Sequence, residues 1–178
     1  MAIILFLLLN CINTTTHEYP LLKVNDVRML DTVVIGPPKQ KATWKMRPNI
    51  RVCATAEVPL YRVREAMLYW QTLGHHFDGM RKDLLSTCMN ARYGEIIITL
   101  PESDFKNMHM AATKLYTSNS TGEIVKAKIY MLPKYARKER VLEHELGHAI
   151  GWSHYSQRHH IMHPNWQLGG YDSKGLEK

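Results

Sequence analysis

Apolar and polar positions first fall into a regular pattern at Asn49–Ala54. Ile50, Val52 and Ala54 alternate there with Asn49, Arg51 and Cys53, between Pro48 and Pro59. A period of two over this length predicts a short strand. The period then changes. Val63, Ala66, Met67, Trp70 and Leu73 recur at helical spacing through Tyr61–Leu73, and Gly74 stands where such a helix would end. Gly94–Leu100 (GEIIITL) is a β-rich run closed by Pro101 and predicts a second strand. Met110–Tyr116 predicts a third, followed by the turn residues Ser118-Asn119-Ser120-Thr121-Gly122 and a fourth strand at Ile124–Leu132. In that last strand Val125, Ala127, Ile129 and Met131 face one way while Lys126, Lys128 and Tyr130 face the other, which predicts a half-buried strand paired in a hairpin. Lys138–Ile150 reads as a second helix.

Before Lys41 no period is sustained. Thr14-Thr15-Thr16, Pro20 and Gly36-Pro37-Pro38 break the chain into turns, so residues 1–40 read as a leader with an extended arm and residues 41–178 as one domain. Ala2–Leu9 is an apolar run too short to cross a bilayer but long enough for the core of an export signal. Leu8-Leu9-Asn10-Cys11 also resembles a lipoprotein cleavage site, in which Cys11 would carry a lipid anchor. An exported or envelope-associated protein is expected. Cys53 and Cys88 then remain, either joined as a disulfide or kept as two half-buried thiols. Asn119-Ser120-Thr121 spells a glycosylation sequon, but these residues already serve as a turn.

Composition narrows the classes. With 178 residues, 45% of them hydrophobic, the chain can bury one core and has no room for a second ordinary domain, and a monomer is expected. The net charge of +7 suits acidic partners, yet the basic residues form no stripe interleaved with aromatics, which argues against a nucleic-acid binder. The densest group, Lys134–Arg140, reads as a solvated helix start.

The chemistry concentrates in the second helix. His144 and His148 are four residues apart and project from one face, so two imidazole nitrogens can meet one ion. Glu145 follows the first histidine, where its carboxylate can serve a water at the ion as general base without being a ligand. Gly151 can take the left-handed conformation that stops the helix, which would return His154 to the ion as a third ligand. Three nitrogens and an open fourth position form a catalytic zinc arrangement.

His144 to His154 (HELGHAIGWSH) fits HExxHxxGxxH at every fixed position, and with Ile161-Met162-His163-Pro164 it resembles the metzincin clan, most closely the matrixins. The resemblance covers roughly Lys41 to Trp166. It implies an α+β catalytic domain: a twisted mixed sheet, a backing helix, an active-site helix and a C-terminal subdomain here shortened to a turn at Tyr171–Leu176. It also implies one catalytic zinc, a methionine turn at Met162, and a pocket wall at Pro164, Asn165 and Trp166. An edge strand at Met110–Tyr116, with Ala111, Ala112 and Thr113 beside the cleft, would bind an extended protein or peptide substrate. Pro164 stands where astacin-like relatives place a tyrosine ligand, which favours the matrixin side.

Departures from the family pattern matter too. No cysteine-switch motif precedes Lys41. His75-His76-Phe77-Asp78-Gly79 lacks the spacing of a loop for structural calcium or a second zinc, so His75 and His76 are expected as surface residues at a helix end. His159, His160 and His163 are expected at the cleft rim or surface, and His17 and His109 are given no role. The expected activity is that of a zinc endopeptidase. The alternatives are a hydrolase of cell-wall peptide cross-links and a zinc-held module that binds proteins without cutting them, for which Glu145 would be superfluous.

Overall fold

The computed structural model describes residues 23–25, 36–85, 88–102 and 110–178. The apolar run Ala2–Leu9, Cys11, His17 and His109 lie outside the described residues, and no described helix is long and apolar enough to cross a membrane.

The fold is α+β, a mixed sheet with two helices. A three-residue strand β1 (Lys23–Asn25) borders five longer ones: β2 (Asn49–Cys53), β3 (Gly79–Asp83), β4 (Glu95–Thr99), β5 (Ala111–Thr117) and β6 (Ile124–Met131). Their order across the sheet is β1-β5-β6-β4-β2-β3. Strands β3, β2, β4 and β6 run parallel, and β5 returns antiparallel beside β6 through the expected turn at residues 118–122. Helix α1 (Leu60–Thr72) makes the crossover from β2 to β3, as a parallel pair requires. Helix α2 (Val141–Ala149) follows β6 and packs on both α1 and β5. No described residue after Ala149 belongs to a helix or a strand, so the C-terminal part is irregular.

Successive side chains on a strand point to opposite faces, so this sheet has two interiors. Ile50, Val52, Ile96, Ile98, Ala127, Ile129 and Met131 join the buried face of α1 (Val63, Ala66, Met67, Trp70) in the main core. The other face carries a smaller cluster of Cys53, Cys88, Ala91 and Ile97. Cys53 and Cys88 are joined by a disulfide with a Cα–Cα distance of 5.5 Å. Arg51 is buried there, donating to Glu95 from Nη2 at 3.0 Å and to Asp83 from Nη1 at 2.9 Å. Lys128 reaches Asn90 at 3.0 Å and also pairs with Glu102.

Four sequence expectations need correction. Strand β6 is buried on both faces, because Lys128 and Tyr130 do not face solvent and Lys128 is held by Asn90 of the disulfide-side segment. Strand β3 carries no apolar alternation, as suits an edge strand with little buried surface, and was not expected. Helix α2 begins at Val141, not Lys138, because Arg140 holds a left-handed φ of 66°. His75 is buried: its Nε2 donates to the carbonyl of Leu176 at 3.0 Å and its ring sits edge-on to Trp70 and Trp152. It joins the end of α1 to the chain terminus, while His76 stays exposed as expected.

Candidate metal centre

Helix α2 is short and almost wholly buried, so packing and not intrinsic propensity holds it. Glu143 accepts a two-pronged pair from Arg62 Nη2 on α1 at 2.8 and 2.9 Å, and its carbonyl accepts from Trp70 Nε1 at 2.8 Å. These bonds fix the helix one residue before His144. Gly147 explains the close approach at its middle: a Cβ there would lie 2.4 Å from Met162 Sδ and 2.5 Å from Trp70 Cζ2. Met162 is fully buried beneath that glycine.

Past the helix, Gly151 adopts a φ of 102°, and a Cβ on it would come within 1.9 Å of the carbonyl oxygen of Ala42. Only glycine permits both the angle and the contact. The chain reverses there and delivers His154 to the first two histidines. Lys39, Gln40 and Lys41 also bind this bend through backbone and side-chain bonds to Ser153, Ile150 and Gly151.

The three Nε2 atoms form a near-equilateral triangle: 3.0 Å from His144 to His148, 3.1 Å from His148 to His154, and 3.3 Å from His144 to His154. His144 Nδ1 lies 2.7 Å from the carbonyl of Ile161, and His148 Nδ1 lies 2.7 Å from the carbonyl of Trp152. A carbonyl can only accept, so both Nδ1 atoms carry the proton and both Nε2 atoms present lone pairs. Two lone pairs 3.0 Å apart repel unless a cation lies between them. Nitrogens bound tetrahedrally at about 2.0–2.1 Å would be roughly 3.3–3.4 Å apart, close to these distances. Burial holds His144 down to about 4 and His154 down to about 3, and His148 well below its usual value, so all three imidazoles are neutral at pH 7. Among the described residues this is the one group of histidine, cysteine or carboxylate side chains that could hold a metal ion.

Glu145 is buried beside the triangle. Thr113 Oγ1 on β5 lies 2.7 Å from its Oε2 and donates to it. Burial pushes the Glu145 carboxyl up to about 7, against the opposing pull of that hydrogen bond. A carboxyl poised near neutrality can take up and release a proton.

The remaining expected site residues divide. Ala111, Ala112 and Thr113 begin β5 alongside α2, with Thr113 in contact with Glu145. Trp166 packs against the segment before α2: its Nε1 donates to Glu139 at 3.0 Å, and Lys138 Nζ lies 3.7 Å from its ring centre. Pro164 is half-buried and Asn165 exposed beside it. His160 and His163 are not at the surface, being 0% and 8% exposed. His160 Nδ1 accepts from the Met162 amide at 3.1 Å, so it serves the methionine turn, whereas His159 is exposed as expected.

One contributor, Arg62, escaped the sequence reading, and Thr113, expected beside the cleft, has a partner that the sequence does not show. Arg62 shares a helical stripe with Ala66 and Trp70, and a basic residue on an apolar stripe was the available signal. The bond from Thr113 to Glu145 spans 32 residues and leaves no local signal. No protein-family model matches the chain, and no curated protein matches it.

Proposed function

We propose that the chain is a zinc-dependent endopeptidase of the metzincin type, most similar to matrixins, acting on protein or peptide substrates. The observation that carries this reading is the triangle of three Nε2 atoms at 3.0–3.3 Å, two of them left as lone pairs by backbone carbonyls, with a buried carboxyl alongside. His144, His148 and His154 fit zinc by number, by donor type and by protonation. Bound there, zinc supplies a Lewis acid that polarises the scissile carbonyl and lowers the pKa of water toward about 7. Glu145 takes the proton of the attacking water and returns it to the leaving amine. Thr113 holds Oε2 of that carboxylate, leaving Oε1 to receive the proton. The first residues of β5 bind the substrate backbone as an added strand, and Pro164, Asn165 and Trp166 line the side-chain pocket beyond the cleaved bond. The disulfide between Cys53 and Cys88 supports an oxidising compartment, in keeping with an exported protein.

The test is hydrolysis of a quenched-fluorescent peptide library by the full chain, with and without a chelator, beside Glu145→Ala. The expected result is cleavage that the chelator abolishes and that the variant loses by about 10²–10⁴-fold while still holding one equivalent of zinc. A zinc-loaded wild-type chain that cuts no peptide overturns the peptidase reading, and a folded chain that takes up no zinc overturns the metal reading.

A further inference from the structure

Strand β5 lies where the proposed substrate would add to the sheet, yet part of its outer side is already taken. β1 pairs with it antiparallel, Lys23 opposite Thr117, Val24 opposite Tyr116 and Asn25 opposite Leu115. The other side of β5 is fully engaged with β6 from Ala111 to Thr117, so β1 uses backbone groups that an incoming peptide would need. The contact is made by backbone, with no demand on which side chains the incoming strand carries.

Direction fixes which part of a substrate is affected. β5 runs from Ala111 to Thr117, and Thr113 marks the level of Glu145 through its hydroxyl. A peptide laid antiparallel on β5 has its amino-terminal part toward Thr117. Leu115 lies two residues past Thr113, about 7 Å along the strand. The residues of a substrate that precede the cleaved bond would therefore fall on Leu115–Thr117, where β1 sits in the same orientation.

Resting on the peptidase reading, we propose that β1 is a substrate-like strand that fills the part of the peptide track upstream of the cleaved bond. The full chain then cuts peptides with few residues before that bond, and long extended substrates bind only by displacing β1. Three residue pairs make a weak clamp, since the net contribution of each backbone hydrogen bond is small. Displacement by substrate or removal by proteolysis is thus within reach. Because β1 pairs with Leu115–Thr117 and not with Thr113, at the level of Glu145, this control is graded and leaves metal binding untouched.

The test compares the zinc-loaded full chain with Val24→Pro, which removes a backbone donor and fixes φ at the centre of β1, and with Asn25→Pro as a second variant. Amide hydrogen exchange is read at Leu115–Thr117, and cleavage is read on two peptides from one cleaved library sequence, with two or five residues before the cut. In the variants, exchange at Leu115–Thr117 is expected to rise at least about tenfold with Ile129 and Tyr130 unchanged, since one lost ladder bond with its neighbours corresponds to about 1.4 kcal/mol. Turnover of the longer peptide, as kcat/KM, is expected to rise about five- to tenfold and that of the shorter one less than about twofold. Equal exchange in wild type and both variants shows that β1 does not cover β5 and overturns the proposal whether or not any peptide is cut. Loosened exchange with no gain on the longer peptide overturns it as well, while a chain with the expected exchange change that cleaves nothing defeats the peptidase reading instead.

Discussion

The two faces of the sheet are held by different forces. On the face covered by α1 and α2, Ile50, Val52, Ile96, Ile98 and Ile129 pack against apolar helix stripes, a buried ion pair from Arg62 to Glu143 ties the two helices, and the site groups set into that layer are neutral imidazoles and one carboxyl. On the other face a buried cation, Arg51, is shared between Glu95 and Asp83 beside a disulfide. Apolar packing weakens by degrees when a contact is lost. A buried ionic group fails at once, because the charge left behind has no partner. Arg51 and its carboxylates therefore bear on stability alone, whereas the helical layer bears also on whether His144, His148 and His154 meet.

The sharpest way to break this division is Arg51→Met. It removes the buried partner of both carboxylates, leaving Glu95 with Arg81 and the Arg92 amide and Asp83 with the Leu85 amide, and is expected to cost about 2–4 kcal/mol in urea unfolding, while the zinc affinity of the remaining folded protein stays within about twofold of wild type. A parallel loss of zinc affinity would show that the faces are not separable. Gly147→Ala probes the helical face. The added methyl group meets Met162 and Trp70 and is expected to cost about 1–3 kcal/mol, and here zinc affinity falls too, because the helix carrying His144 and His148 must shift.

The smallest effect concerns His75. Burial lowers its folded pKa beneath the ordinary value, so below pH of about 6.5 the unfolded chain binds more protons than the folded one. Its contribution is present above that pH and is lost as pH falls. The stability advantage of wild type over His75→Gln is expected to shrink as pH falls below about 6.5, read as the difference of two urea titrations so that the shared histidines cancel. A pH-independent difference would remove His75 from the account.

The same division explains how much could be read in advance. The strands β2, β4, β5 and β6, helix α1, the turn at Gly151 and the meeting of His144, His148 and His154 follow from short-range rules, namely alternation, helical pitch and the glycine that permits a positive φ. The ionic face follows none of them. In a strand, Arg51 and Lys128 look like outward-facing residues, and only the segment around Cys88 and Asn90, folded over them, makes them interior. His75 likewise reads as a surface residue and His160 as a cleft-rim or surface residue, because a histidine near a helix end or a turn shows nothing of the distant chain that buries it. β1 and β3 are margins of the sheet, where a strand is defined by its neighbour's backbone and not by its own pattern.

The carbonyls of Ile161 and Trp152 orient His144 and His148. An acceptor that belongs to the main chain outlives any replacement of the side chain on the same residue. The two imidazoles are thus steered by the path of the loop, and side chains that do not set that path, as Gly151 does, could be exchanged without turning either ring. What such a site asks its surroundings to preserve is a route through space, which leaves the spelling of the sequence around it wide room to drift.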